Sequence, residues 1–305
     1  MKRILLLISL YSCAFSYAQT ISDGLMMPAR NLCTGFVFTQ DKWTTYWEGN
    51  LRRENGNIGS VTTQSIMWVG NYGVTDNLNV IAMVPHVKTQ ASQGTLSGME
   101  GFQDLTLAVK YNFFKKDIGE GKARAFGSVA FSTPMTDYTP DFLPLSIGLN
   151  TTNLSYRLTG YYRLGLGVYA NVSGAYTWRS NATLDRPAYF TDGNQYLTDE
   201  VKMPNVFDYV VNIGYHKGPF QVDLNYTQQN TLGGGDIRRQ DMPFVSNRMN
   251  YSKIGAFAMY YVAKPKGLAV RAGSMFTADG RNVGKSTSLT GGILYTIGFA
   301  PPKTI

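Results

Sequence analysis

Phe207-Asp208-Tyr209-Val210-Val211-Asn212-Ile213-Gly214-Tyr215-His216, then Lys217-Gly218-Pro219, then Phe220-Gln221-Val222-Asp223-Leu224-Asn225-Tyr226-Thr227: apolar and polar side chains alternate on both sides of a three-residue break. Phe207, Tyr209, Val211, Ile213 and Tyr215 fall on one face, with Asp208, Asn212, Gly214 and His216 on the other. Beyond the break, Phe220, Val222, Leu224 and Tyr226 oppose Gln221, Asp223, Asn225 and Thr227. Successive side chains of a strand point to opposite faces, so this period of two reads as a hairpin with one apolar and one polar face.

The same code recurs along the chain, as in Leu105, Leu107, Val109 and Tyr111 against Thr106, Lys110 and Asn112, and in Leu289, Ile293, Tyr295, Ile297 and Phe299 against Ser288, Thr290 and Thr296. No stretch keeps a helical period. About twelve strands are predicted, near 31–40, 60–73, 78–87, 104–113, 123–132, 147–161, 167–178, 206–216, 220–230, 247–261, 268–278 and 287–299. Most are close to the roughly 9–11 residues that cross a bilayer when tilted, against about five or six in soluble proteins. The joins alternate: short around 74–77, 114–122, 162–166, 217–219 and 262–267, long and polar around 41–59, 88–103, 133–146, 179–205 and 231–246, with 279–286 brief. Short turns on one side and long loops on the other, with an even strand count, predict an all-β fold: a transmembrane antiparallel up-and-down β-barrel of the outer membrane. Lipid offers backbone groups no hydrogen-bond partner, so a sheet can span it only by closing on itself. Tyr111, Phe113, Tyr161, Tyr162, Tyr215, Phe220, Tyr260 and Tyr261 flank the short turns as a periplasmic aromatic girdle, and Trp43, Trp47, Trp68 and Trp178 are expected at the opposite rim or its loops.

Composition agrees. The 305 residues are 44% hydrophobic but only 16% charged, with 32 Gly and 20 Tyr, against about a quarter charged in ordinary soluble domains. Met1-Lys2-Arg3, the apolar run Ile4 to Leu10 and the small residues Ser16 and Ala18 predict a signal peptide over 1–18, with the barrel domain over 19–305. An alternative uses Leu10-Tyr11-Ser12-Cys13 as a lipoprotein site with Cys13 acylated, against which Tyr11 is bulky. Without Cys13, Cys33 is the only cysteine left, which excludes an intramolecular disulfide and a cysteine metal site. The formal charge of +8 falls to about +6 on losing Lys2 and Arg3. The basic residues are scattered singly rather than clustered with aromatic platforms, so nucleic acid is not an expected partner; outer-membrane lipid and a small-molecule solute are.

Two segments carry a family likeness. Gly73-Val74-Thr75-Asp76-Asn77-Leu78-Asn79-Val80, running on to Val84-Pro85-His86-Val87, and Gly101-Phe102-Gln103-Asp104-Leu105-Thr106-Leu107-Ala108-Val109-Lys110-Tyr111-Asn112 resemble blocks of the MetA-pathway-of-phenol-degradation family. The resemblance implies an outer-membrane barrel of the kind described as a transporter. The larger fatty-acid transport barrels, more distantly similar, carry an N-terminal hatch; with no long segment ahead of the first strand, none is expected here. The chain closes Phe299-Ala300-Pro301-Pro302-Lys303-Thr304-Ile305 without a terminal aromatic, leaving Phe299 to stand in for one.

Function is then sought in the lumen. Lys110, Arg124, Arg157, Asp223 and Arg271 fall on the polar face and, by strand direction, in the half nearer the short turns. Four positive charges and one negative predict a basic constriction favouring anions, since rings of Arg and Lys select them; a structural charge network filling a narrow barrel is the alternative. Ile81, Met83, Phe126, Met275 and Leu294 fall on the same inner face and predict an amphipathic lumen suited to small, partly apolar solutes. Pro85 lacks a ladder donor and must sit at a bulge or where its strand leaves the sheet, with the end of pairing favoured over a lateral gap. His86 and His216 end strands running in opposite directions, so no shared histidine site and no nucleophilic triad is expected. Asp192-Gly193-Asn194 and Asp199-Glu200 read as a solvated acidic loop rather than a metal site, and Gly233-Gly234-Gly235 as loop flexibility. The expected function is a channel or transporter for small hydrophobic or amphipathic, including aromatic, molecules, with no enzymatic chemistry and no cofactor. A structural or surface-binding barrel, and a lipid-modifying barrel enzyme, are the alternatives.

Overall fold

The structure, a computed structural model, describes residues 20–191, 193–238 and 243–299. The predicted signal peptide over 1–18, Cys13 within it, Asp192 and the last six residues lie outside it. Twelve long strands are present among the described residues: β1 Asn31–Trp43, β2 Val61–Thr75, β3 Leu78–Ala91, β4 Asp104–Ile118, β5 Gly121–Pro134, β6 Asn153–Leu164, β7 Val168–Arg179, β8 Val206–Lys217, β9 Phe220–Thr231, β10 Asn250–Tyr261, β11 Leu268–Arg281 and β12 Thr287–Gly298. Each pairs antiparallel with its neighbours in sequence, and β1 pairs with both β2 and β12, from Asn31 opposite Gly298 to Lys42 opposite Thr287. That last pairing closes the sheet into a barrel and removes its edges. No helix among the described residues is long and apolar enough to cross a membrane; the crossing elements are the strands.

Alternation decides what each face meets. Leu158, Ile293 and Leu224 point outward with 68%, 62% and 61% of their surface exposed, whereas Ile81, Phe126 and Leu294 on the inner face are buried. An apolar belt around the whole barrel is far larger than a soluble monomer exposes, and lipid is the solvent that accounts for it. Tyr111, Phe113, Tyr162, Tyr215, Phe220 and Tyr260 lie exposed near the short turns, with the Phe220 and Tyr260 ring centroids 5.0 Å apart. Tyr161 and Tyr261 do not join this girdle: as the alternate neighbours of Tyr162 and Tyr260 they turn inward and are buried. A bulge between Asn112 and Phe114 of β4 inserts one residue, so that Phe113 and Phe114 both face out and the inward parity beyond them changes. Trp68 lies at mid-strand rather than at a rim, and Trp47 is buried in a small hairpin of the first long loop, Thr45–Glu48 with Leu51–Glu54.

Pro85 does not end its strand. β3 continues to Ala91, paired with β2 throughout, with Pro85 opposite Met67. On its other side the partner changes at this point: β4 pairs with β3 only from Leu78 to Met83, and the short strand Glu100–Phe102 takes over from His86 to Lys88. Gln103 N donates to the Pro85 carbonyl (3.0 Å), closing the seam. The missing N–H of Pro85 thus coincides with a place where the ladder is handed from one strand to another.

The long loops pack into a cap. Ala182, Leu184, Tyr189, Val201, Met203, Phe244 and Val245 form a buried cluster with Leu143 and Leu149 against it. Gly234 lies in this cap at φ +82°, and a Cβ there would collide with the Ser246 carbonyl, so the glycine run makes a fixed close approach rather than a flexible stretch. Tyr138 Oη donates to Asp104 (2.6 Å); burial, then the neighbouring carboxylate, pushes the phenol up from its ordinary range and keeps it a donor. Arg281 grips Asp236 through two bonds of 2.7 and 2.6 Å, with Asn282 adding a third at 2.7 Å, and Arg281 first among these holds the Asp236 carboxyl below the usual carboxylate range. Both side chains remain about a third exposed, so the pair is worth at most about 1 kcal/mol. Asp236→Ala is expected to speed protease cleavage within 232–249 while the barrel keeps its heat-modifiable gel mobility; unchanged cleavage would show that the cap does not depend on this clasp.

Candidate functional site: the occupied lumen

The hatch that the sequence did not suggest is present. Residues 20–30 run inside the barrel before β1 begins, and one side chain organises them. Lys110 comes from the middle of β4, where the inward parity carries it to the axis, and it is fully buried. Its Nζ donates to the carbonyls of Thr20 (3.0 Å), Asp23 (2.7 Å) and Leu25 (2.9 Å) and to Asp23 Oδ1 (2.9 Å), and sits 5.1 Å from the centre of the Phe126 ring. A buried ammonium costs several kcal/mol unless it is paired and its protons are all accepted; here an ion pair and three carbonyls meet that requirement. Asp23 in turn accepts from Leu25 N (2.9 Å), Thr20 N and Thr20 Oγ1 (3.0 Å), folding Thr20–Leu25 into a knot around the ammonium.

Further contacts hold the segment down its length. Asn171 Nδ2 donates to Ser22 O (3.1 Å), and Asn212 Nδ2 to Asn171 Oδ1 (3.0 Å). Gly24 lies flat against Tyr161, where a Cβ would overlap the ring. Leu25 and Met26 pack with Phe126, Tyr161 and Tyr169, and Met27 is fully buried among Cys33, Met259, Tyr261, Ala269 and Leu294. Ala29 N donates to Asp76 Oδ1 (3.0 Å) and Arg30 N to Gly73 O (2.7 Å), tying the segment to the first short turn. The expectation of an unplugged lumen fails because about eleven residues suffice: an extended chain covers roughly 3.3–3.6 Å per residue, enough to climb from the barrel floor to its middle.

The charged candidates are arranged differently from a basic ring. Lys110 is neutralised by Asp23, and Arg157 pairs with Asp208 at 2.5 Å while donating to Ser173 Oγ (2.9 Å). Arg157 also lies higher than expected. Its strand starts at Asn153 rather than 147, so it is the fifth residue from the loop side, level with Asp208 near the start of β8. Asp223 accepts from Tyr169 Oη and from Gln221 Nε2 (2.9 Å), with Tyr261 Oη donating to Gln221 Oε1 (3.1 Å). Arg271 lies over the Phe257 ring at 4.6 Å. Arg124 sits near the short turns with its Nε buried and unbonded. The sequence reading missed Asp23 and Asp208 as counter-charges; Asp208 was visible on the polar face of the hairpin, whereas Asp23 acquires its meaning only once the segment is inside.

Three cavities surround the segment. One of about 400 Å³ lies toward the long loops, lined by Ser22, Met83, Arg157, Arg179 and Asp208. A second, about 220 Å³, runs beside it between Asn171, Asn212, Asp223, Arg271 and Met275. The third, about 490 Å³, opens at the short turns between Leu25, Met26, Arg124, Tyr161 and Arg163. Ile81, Phe126 and Leu294 are buried in the wall or against the segment. His86 faces away from the lumen, 5.1 Å from the Phe102 ring, while His216 is buried beside Tyr261, so the two are not brought together. No group of three or more His, Cys, Asp or Glu able to hold a metal occurs among the described residues.

A closed twelve-strand barrel with a lipid-facing belt, short turns on one side and capped loops on the other is the outer-membrane type of β-barrel. No protein-family model matches the chain, and no curated relative does. Among solved structures it is similar to the COG4313 outer membrane channel from Pseudomonas putida F1, at 12% identity, covering 93% of this chain and 100% of that one with a TM-score of 0.71. The NanC porin (9% identity, 85% and 98% covered, TM-score 0.45) and the CymD monoaromatic hydrocarbon channel (10%, 90% and 90%, 0.38) also match. The first of these likenesses shows that the fold is shared over essentially the whole of both chains.

Proposed function

We propose that this chain is an outer-membrane channel that passes small hydrophobic or amphipathic molecules, exported by residues 1–18 and acting without enzymatic chemistry or a cofactor. The observation that carries the reading is the string of three cavities along the lumen, each combining apolar walls with a few polar groups, separated by a segment of only about eleven residues. A barrel built only to fill itself has no need of such spaces, and small-molecule sites combine apolar walls with a few placed polar groups in this way. The resemblance to the phenol-degradation family rests on the two sequence blocks quoted above, and aromatic solutes are the cargo it suggests.

The test is uptake of small aromatic solutes into liposomes that contain the purified protein, together with single-channel recording. Faster uptake than in protein-free liposomes is expected; no uptake and no conductance would defeat the transport reading. The packed cap over the long loops favours one second reading, a surface-binding barrel that uses the cap to hold a partner, and that reading requires no uptake at all.

A further inference from the structure

We propose that the lumen mouth at the short turns is an exit site for an organic anion with an apolar body, an arylalkyl or alkyl carboxylate in chemical terms. Arg124 is the receptor for the charge, and Leu25, Met26 and Tyr161 form the apolar wall. The inference deepens the channel reading by naming the solute class at one site, and it rests on that reading only for the word exit.

The cavity of about 490 Å³ falls in the size range of small-molecule sites, about 300–1,000 Å³. Its apolar wall is supplied by the lumen segment itself, through Leu25 and Met26, which are buried with Tyr161. Lys110 is matched by Asp23 and Arg157 by Asp208, and Arg271 rests over the Phe257 ring. Arg124, like Arg179, forms no ion pair among the described residues, and its Nε is buried without a hydrogen-bond partner. A buried guanidinium N–H left unmet is costly, and the group that meets a guanidinium best is a carboxylate taken through two parallel bonds.

The neighbours reinforce the sign. Arg124 stands opposite Tyr161 on β6 and Lys115 on β4, and Lys122 stands opposite Arg163. Arg163 spends one donor on the His216 carbonyl (3.0 Å) and keeps the rest of its fork. The bulge at Asn112 and Phe114 gives Lys115 the inward parity of Arg124. Asp117, which stands opposite Lys122, and Glu120 also line the opening; all three are exposed at its outer edge, where solvent and salt screen them. Three lining cations, Lys122, Arg124 and Arg163, against two carboxylates leave the mouth net positive, and Arg124 is the one whose Nε is buried and unbonded.

The probe is 3-phenylpropionate, titrated against the full-length mature protein in lipid nanodiscs and read by saturation-transfer NMR, with 3-phenylpropan-1-ol and 3-phenylpropylamine as neutral and cationic counterparts of the same body. The acid is expected to bind about tenfold more tightly than the alcohol, with the amine weakest, as the gain of a charge-assisted contact over a neutral one requires. Arg124→Gln is expected to abolish the preference of acid over alcohol, chiefly by weakening the acid. Arg124→Lys, which keeps the charge and loses the fork, should retain part of it and carries the test if the glutamine variant fails to give a heat-modifiable barrel. Equal binding of acid and alcohol, or an unchanged preference in Arg124→Gln, overturns the site. Because binding is read at equilibrium, the outcomes separate: acid preference without liposome uptake defeats the channel and spares the site, while uptake without acid preference does the reverse.

Discussion

Lys110→Met should release the lumen segment and raise single-channel conductance several-fold, while the barrel itself stays folded. Four oxygens of Thr20, Asp23 and Leu25 converge on the Lys110 ammonium. Methionine fills much of the same volume but donates nothing, so three carbonyls and the Asp23 carboxylate lose their partner together. Removing one member of a buried pair costs about 3–5 kcal/mol, or about two to nearly four orders of magnitude in the balance between seated and released segment. What remains to hold it is the Asn171 bond to Ser22, the ties of Ala29 and Arg30 to the first short turn and the burial of Leu25, Met26 and Met27, worth about 1.5–3 kcal/mol per side chain. The segment should therefore flicker rather than leave for good, giving noisy current with long open intervals. Asp23→Asn removes the counter-charge but keeps an acceptor, so its effect should be smaller. Deleting 20–27 sets the upper limit of conductance. A Lys110→Met protein with wild-type current and heat-modifiable migration would show that the apolar contacts, not the buried pair, hold the segment.

How much of this was legible beforehand follows from which contacts are local. The hairpin from Phe207 to Thr227 reads correctly because pairing between neighbours in sequence needs only the period of two and a turn, and the closed barrel follows from counting such hairpins and their unequal joins. Some strand ends were read short, as where β3 runs past residue 87 to Ala91 and β4 past Phe113 to Ile118, and others long, as at the start of β6. A Pro, or a bulge that breaks alternation, hides the continuation of a ladder whose partners lie elsewhere. Tyr161 and Tyr261 were assigned by their nearness to turns, though their parity already placed them inside. The site was legible as a set of inward residues, including Lys110, Arg124 and Phe126, but not as an arrangement. What Lys110 does depends on Asp23, 87 positions away, and no period in the sequence encodes that pairing. Two signs were nevertheless present: a lysine in mid-lumen with no carboxylate on the adjoining strands, and the apolar run Leu25-Met26-Met27 just ahead of a strand, where an exposed leader should be polar.

Opposite changes at one ion pair should move ion selectivity in opposite directions. Arg157 and Asp208 meet at 2.5 Å with side-chain exposures of only 13% and 19%, beside the cavity that faces the long loops. As a pair they present little net charge to a passing ion. Asp208→Asn leaves the Arg157 guanidinium uncompensated in a cavity that Arg179 also lines and should increase anion preference; Arg157→Ser leaves Asp208 bare and should shift preference toward cations. Arg124→Ser should also weaken anion preference, but by a different route, since it removes a cation that has no carboxylate partner. Recording in the Lys110→Met background gives current large enough to read reversal potentials under a salt gradient. About 0.1 M mean salt keeps the Debye length near 10 Å, comparable with the space the charges must command. The shift for each single change should be severalfold in permeability ratio and should shrink as salt is raised. If Asp208→Asn and Arg157→Ser move selectivity the same way, the pair is not the charge unit of the upper lumen, and the current follows another route past the segment. If they diverge while the double change returns to the parental ratio, the cancellation seen in the geometry is the one that ions encounter.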